Sequence, residues 1–193
     1  VKLFVDVCLQ SVIAATKNLD SEIILVDNAS SDGSSDWIAN NFPKVKLVVN
    51  DKNIGFPKGN NIGVKHARGK YLCILNPDTV VAEDTFYKAI SFMNNNLDVA
   101  IMGPKLIDGS GTFLKESKRG VPTPKVAFYK ATGLYKISPK LFGKYYNLRL
   151  DKDSSGLTDI LVGAFMFMRR EHFIKLKGFD EDCFMYSDDI DFS

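Results

Sequence analysis

Three short acidic stations hold the chemistry open to this chain. They are Asp27 and Asp32 in IILVDNASSDGSS, Asp78 in YLCILNPDTVV, and Asp188 and Asp189 in DCFMYSDDIDFS. Each stands where an apolar run stops. The first two runs, Glu22 to Val26 and Tyr71 to Leu75, have the length and content of buried strands. Asp27 and Asp78 are therefore expected side by side at the carboxyl edge of a sheet, where open α/β sheets bind ligands. Carboxylates gathered there, with no His or Cys cluster beside them, suit a hard divalent cation and a diphosphate better than zinc or thiol chemistry.

The segments around these acids sharpen the expectation. In VDNASSDGS, Asp27 can accept a hydrogen bond from a base N–H, with Asn28, Ser30 and Asp32 beside it for base or ribose groups. The same residues equally suit a strand-to-helix loop whose polar side chains satisfy backbone donors. NIGFPKGNNIG is neither a dinucleotide fingerprint nor a P-loop, since GxGxxG and GK[ST] are both absent. Its Gly55, Gly59 and Gly63 suit a positive φ and close helix packing. With the first motif it forms a second wall of a nucleotide pocket, to which Asn53, Gly55, Asn60 and Asn61 contribute. In NPDTVV, Asp78 is the only acid at its strand end, with Asn76 two residues before it. One carboxylate, two phosphate oxygens and water complete an ordinary Mg²⁺ shell. In YSDDIDFS, Asp188, Asp189 and Asp191 crowd together, which raises at least one pKa towards general-base work. Acids of this kind also suit a helix N-terminus. His66 and His172 have no partner at ligand spacing and read as structural. No GxSxG elbow is present.

The elements that must position these groups follow from periodicity. Leu3, Phe4, Val7, Cys8, Ser11 and Val12 recur at helical spacing. Strands are expected at Glu22–Val26, Val45–Val49, Tyr71–Leu75, Val99–Met102 and Ile160–Met168, with Tyr71–Leu75 central. Helices are expected around Trp37 and Ile38, after Asn53, over Glu83–Asn96 and from Arg170 to about Leu176. DGSG, within Lys105–Leu114, reads as a hairpin-like turn. Alternation at this pace argues for a doubly wound, mostly parallel sheet. Between Phe113 and Tyr146 stand eight Lys or Arg against the single acid Glu116, interleaved with seven aromatics. That stretch suits an anionic acceptor or a membrane surface, and equally a solvated lobe with an aromatic core.

The bulk numbers set limits. With 193 residues and 45% hydrophobic content, the chain can bury the core of one domain. A net charge of +2 disfavours a nucleic-acid partner held by charge alone. There is no run of about 18 apolar residues to span a bilayer. Cys8, Cys73 and Cys183 lack CxxC spacing and read as buried, reduced thiols of a cytosolic protein.

Taken in order, these segments resemble family 2 of the nucleotide-sugar glycosyltransferases, and especially its rhamnosyltransferase-like branch. The resemblance rests on FVDVCLQSV, EIILVDNASSDGSSDWI, NIGFPKGNNIGVKHARGKYLCILNPDTVV, ILVGAFMFMRREHF and GFDEDCFMYSDDIDFS. It implies a GT-A fold: a doubly wound, mostly parallel sheet flanked by helices, with a small antiparallel or irregular acceptor-side lobe. A single domain over 1–193 is then divided into a nucleotide-sugar half (1–104) and an acceptor half (105–193) with the basic-aromatic insert 113–146. Asp27 would contact the base and Asp32 would lie in the nucleotide pocket. Asn76-Pro77-Asp78 would take the place of the family's DxD motif, with Asn for its first Asp and Asp78 as ligand to Mg or Mn. Asp188-Asp189 would stand for an acidic pair written ED, with Asp189 as the base. The implied activity is inverting transfer from a nucleotide-diphosphate sugar to a glycan or lipid-linked hydroxyl, in cell-surface polysaccharide synthesis. The expected setting is the cytoplasm, with peripheral contact at the inner face of the membrane. The rival expectation is a catalytically silent nucleotide- or glycan-binding module. The family's first strand and the helix after the acidic pair are expected in sequence beyond Val1 and Ser193.

Overall fold

A computed structural model describes residues 2–119, 132 and 153–182. Helix α1 spans Lys2–Thr16, β1 Ile24–Asp27, α2 Ser34–Asn41 and β2 Lys46–Val49. Then come α3 (Phe56–Lys65), β3 (Tyr71–Leu75), α4 (Thr85–Asn95) and β4 (Ile101–Met102). A 3-10 turn at Lys115–Ser117 leads to β5 (Lys118–Arg119), and the chain continues with β6 (Ile160–Leu161), β7 (Phe165–Arg169) and α5 (Arg170–Lys175). Asp188, Asp189, Cys183 and most of the basic-aromatic insert lie outside the described residues.

Strands β1 and β2 pair in parallel, from Ile24 opposite Lys46 to Asp27 opposite Val49. The second sheet has the order β3-β7-β4, and β7 runs antiparallel to both neighbours. β3 and β4 thus share a direction, and β7 occupies the centre expected for β3. The residues explain why. In Phe165-Met166-Phe167-Met168 every side chain is at most 4% exposed, so both faces of the strand are covered. Phe165 and Phe167 point into a cluster with Cys8, Val12 and Ala15 of α1 and Phe86, Ala89 and Met93 of α4. Met166 and Met168 point the other way, to Leu72, Ile74, Phe173 and Phe179. Period-two alternation with apolar residues in both phases marks a strand between two layers.

The expected single strand over Ile160–Met168 is broken into β6 and β7 by a turn at Gly163-Ala164. Helix α1 also turns a different face inward from the one expected. Val5, Cys8, Leu9, Val12 and Ala15 are buried, while Leu3, Phe4 and Val7 are exposed. Apolar residues surround this helix, so periodicity admits two faces and packing selects one. The face chosen meets the second sheet through Cys8 and Val12, and through Val5 and Leu9 it meets Ile38 of α2 and Val45, the residue before β2. The DGSG turn forms as expected, with an Ile107–Phe113 bridge. Asp108 accepts there from Ser110 and Thr112, and these bonds, the Ser110 hydroxyl foremost, hold its carboxyl below the usual range.

No ladder joins β1 to β3 among the described residues. Both strands line one largely apolar cavity of about 560 Å³, walled also by Val5 and Leu9 of α1 and Gly63 of α3. At the carboxyl edge of the strands it is lined by Asp27, Asn28, Ser30 and Pro77.

Candidate functional site

Asp27 is the last residue of β1 and only 6% exposed. Its carboxylate accepts hydrogen bonds from the Ser30 amide (3.2 Å), the Ser30 hydroxyl and the Ser35 hydroxyl. The loop after β1 is thereby curled over the strand end, with Ala29 held at φ 62°. Two residues before α2, exposed Asp32 accepts from the amide (3.1 Å) and hydroxyl of Ser34. The Ser34 hydroxyl is the main reason that its carboxyl lies below the usual range. A carboxylate here also complements the partial positive charge of a helix N-terminus.

The second wall is tied to the first through amides. Parallel pairing sets Asp27 opposite Val49, so Asn50 follows opposite Asn28, and the Asn50 amide donates to Asn28 Oδ1 at 2.8 Å. Asn28 Nδ2 donates in turn to the Gly55 carbonyl at 3.0 Å, and Asn53 Oδ1 accepts from the Gly55 amide at 3.0 Å. Gly55 has φ 86° and ψ 170°, a region only glycine occupies without strain. At Gly59 a Cβ would lie 3.2 Å from the Asn28 amide, so helix α3 seats directly on that side chain. Asn60 Nδ2 donates back to the Phe56 carbonyl. Asn61 turns elsewhere: its buried amide is bonded to Phe179 and Glu181.

Asp78 follows β3 in a turn closed by Thr79 N–H donating to the Asn76 carbonyl at 3.2 Å. Asn at the first position and Pro77 at the second are the residues such a turn favours. The turn is fixed on two sides. The Asn76 amide and the Thr79 hydroxyl donate to the Ala164 carbonyl, in the break between β6 and β7. Cys8 Sγ approaches the Asn76 carbonyl, and Ser11 Oγ accepts from the Val81 amide. Asp78 itself is exposed, and no hydrogen bond or ion pair engages its carboxylate among the described residues. Its charge reaches Cys8, whose thiol pKa is raised first by burial and then by Asp78. The Cys73 thiol is raised as well, chiefly by burial and then by Cys8. Both thiols are free.

The structure thus brings Asp27, Asn28, Ser30, Asn53 and Gly55 into one bonded network, with Asp32 at its outer rim. Asn76 and Asp78 flank Pro77, which lines the same cavity as Asp27, Asn28 and Ser30. Among the described residues, no three His, Cys, Asp or Glu side chains are grouped to hold a metal alone. A cation here would need oxygen ligands from a bound diphosphate and water, and the open carboxylate of Asp78 fits that requirement. Reading the motifs alone missed Asn50 and Ser35. The signal for Asn50 exists only once the β1–β2 register is known, and Ser35 lies past the loop residues that the motif singles out.

Two layers of helices around a sheet with β7 reversed at its centre define a domain class, the GT-A type α/β fold. A mannosyltransferase from Pyrobaculum calidifontis, solved with GDP-Man and Mn²⁺, matches the whole chain with a TM-score of 0.64 at 20% identity. The chain belongs to glycosyl transferase family 2, whose model matches residues 2–177. An uncharacterized glycosyltransferase of Methanocaldococcus jannaschii is 32% identical over 101 residues, half of this chain. The N-acetylglucosaminyl-diphospho-decaprenol L-rhamnosyltransferase of Mycobacterium tuberculosis is 22% identical over 180 residues, 88% of this chain. The chain spans 35% and 58% of those two relatives and 47% of the mannosyltransferase chain. The expected fold class and the family resemblance are both borne out.

Proposed function

We propose that this domain binds a nucleotide-diphosphate sugar at the carboxyl edge of β1 and β3. It transfers the sugar with inversion to a hydroxyl of a glycan or lipid-linked acceptor, in cell-surface polysaccharide synthesis at the cytoplasmic side of the membrane. The observation that supports this best is Asp78: an exposed carboxylate, engaged by no partner among the described residues, on a turn fastened to α1 and to the break between β6 and β7. An acid kept open on a rigid support is suited to a ligand rather than to the fold. The cation, Mg²⁺ or Mn²⁺, would be held by Asp78 with Asn76 beside it, and when bound supplies neutralisation of charge on the departing diphosphate. The Mn²⁺ and GDP-Man of the mannosyltransferase neighbour agree with this assignment.

The remaining roles follow from how each side chain is already used. A carboxylate offers about four acceptor positions, and those of Asp27 left by Ser30 and Ser35 go to a base N–H. Ser30 and Asp32 face base or ribose groups, while Asn28, Asn53 and Gly55 hold the loop that forms the opposite wall and Asn60 lines it. The acceptor oxygen attacks the anomeric carbon as the bond from that carbon to the diphosphate oxygen breaks. The electron pair leaves with the nucleoside diphosphate. Asp189, with Asp188 beside it, takes the acceptor proton as the new bond forms. No helix among the described residues is long and apolar enough to cross a membrane. Membrane contact is instead assigned to the basic-aromatic insert 113–146.

Calorimetric titration with UDP, GDP and dTDP, with and without Mn²⁺, tests the proposal. Binding should require the cation and weaken at least about tenfold in Asp78→Ala, the loss of about 1.4 kcal/mol. Binding that is indifferent to both cation and substitution, with no sugar transfer, would instead make this a silent nucleotide-binding module.

A further inference from the structure

We infer that Asn61 is a positioning residue for the acceptor side of the reaction and does not hold the nucleotide. Its side chain is 7% exposed. Oδ1 accepts from the Phe179 amide at 2.9 Å, and Nδ2 donates to the Phe179 carbonyl at 2.9 Å. The same Nδ2 donates to Glu181 Oε1 at 3.1 Å. One side-chain amide therefore does for Phe179 what a neighbouring strand would do, satisfying both of its backbone groups. Both amide hydrogens are consumed, which leaves no donor for a ligand.

The chain reaches Phe179 by a path that admits few alternatives. Helix α5 ends with Gly178 N–H donating to the Phe173 carbonyl and Lys177 N–H to the Ile174 carbonyl, the paired bonds of a Schellman ending. Lys177 and Gly178 both have positive φ, 67° and 80°. A Cβ on Gly178 would lie 2.4 Å from Asn61 Oδ1 and 3.1 Å from a ring carbon of Phe173. Phe179 is 3% exposed, against Phe56 of α3 at 6.0 Å and Phe173 at 5.4 Å between ring centroids. Asn61, Gly178 and Phe179 together fasten residues 179–181 to α3, the helix whose Gly59 seats on Asn28 at the nucleotide wall. The acidic pair Asp188-Asp189 follows in the same stretch of chain. The inference rests on the base assignment made above: Asn61 acts by setting the departure point of the segment that carries Asp189 relative to the donor-binding helix.

The test is made on the full chain, with sugar transfer, donor hydrolysis and nucleotide affinity measured on the same samples. Asn61→Ala should lower kcat for transfer by about 10- to 100-fold, the scale of a misplacement near 1 Å. It should raise the ratio of donor hydrolysis to transfer and leave the Kd for the nucleotide with Mn²⁺ within about twofold of wild type. Gly178→Ala should reproduce this pattern, because its methyl group displaces the same amide. Added to Asn61→Ala, it should cost less than about threefold more, as residues in one contact do not act additively. Should Asn61→Ala fail to fold, Asn61→Asp, which keeps the acceptor and loses the donors, and Gly178→Ala carry the test. A Kd raised about tenfold with kcat unchanged would make Asn61 a nucleotide ligand and overturn the inference. A lowered Tm with kcat and Kd both intact would reduce it to a stabilising residue and overturn it equally. Asp189→Asn separates the two proposals. Wild-type transfer in that variant removes the base assignment. Lost transfer there, together with an unaffected Asn61→Ala, removes the positioning role alone.

Discussion

Arg169 offers a direct test of how scaffold and site are separated in this domain. It ends β7 opposite Tyr71, at the amino end of β3, whereas the candidate site lies at the other end, opposite Phe165. The residue is 6% exposed. Its guanidinium donates to the carbonyls of Met93 (2.6 Å), Asn96 (3.2 Å) and Val99, three groups at and just beyond the end of α4. Those carbonyls have no partner within the helix, and the cation also meets the negative end of the helix dipole. Arg169→Met keeps the apolar stem and removes the donors. The carbonyl of Met93, a fully buried residue, would be stranded at a cost of about 1–3 kcal/mol. Asn96 and Val99 are half-buried and regain some water, so they lose about 0.5–1.5 kcal/mol each. The sum is roughly 4 kcal/mol, equivalent to a Tm lower by about 8–16 °C for a chain of this size. Arg169→Lys should fall between, since a single ammonium cannot span three acceptors in a fixed fork. Urea and thermal unfolding give the stability, and nucleotide titration should show an unchanged Kd. A loss below about 0.5 kcal/mol, the usual range for surface substitutions, would refute the reasoning that this cluster stabilises the fold.

Two further outcomes bear on the site. Gly55→Ala places a side chain at φ 86°, ψ 170° and should cost about 1–3 kcal/mol. Nucleotide binding should weaken as the Asn28–Gly55 bond is strained, while Gly109→Ala, with nothing within 4 Å of the added Cβ, changes neither stability nor affinity. Carboxyl titration by NMR should find the Asp32 pKa below the ordinary value, and Ser34→Ala should return it upwards, since the Ser34 hydroxyl is the main cause of the shift. A group with a lowered folded pKa contributes stability above its unfolded pKa and loses it as pH falls through the folded value. Ser34→Ala should therefore flatten that acid-side part of the stability profile.

Much of the local structure was legible from residue pattern. Strand β3 is found over the same residues, Tyr71 to Leu75, that the unbroken apolar run marks out. β1 and β2 begin one or two residues later than expected, the usual latitude for ends fixed by hydrogen bonds rather than by hydrophobicity. Asp27 and Asp78 do follow their strands, Asp27 as the last residue of β1 with its buried carboxylate satisfied by Ser30 and Ser35, and Asp78 in the exposed turn after β3. The amides were less legible. Asn28, Asn60 and Asn61 look alike as donors and acceptors in sequence, yet one binds a loop across the strand end, one binds its own helix and one binds a segment 118 residues away. Nothing short of the packed helix distinguishes them.

Residue order alone sets the main alternation of strands and helices, the acids that follow β1 and β3, and a glycine at the strained backbone of Gly55. These depend on short-range sterics and on the period of apolar residues, which a linear chain already contains. Tertiary structure decided that β7 rather than β3 stands at the centre, that α1 buries Val5 and Leu9 while exposing Leu3 and Phe4, and that Arg169 closes α4. Those choices are made between alternatives of similar local energy. Only contacts between residues far apart in the chain separate them, and such contacts exist only once the layers have met.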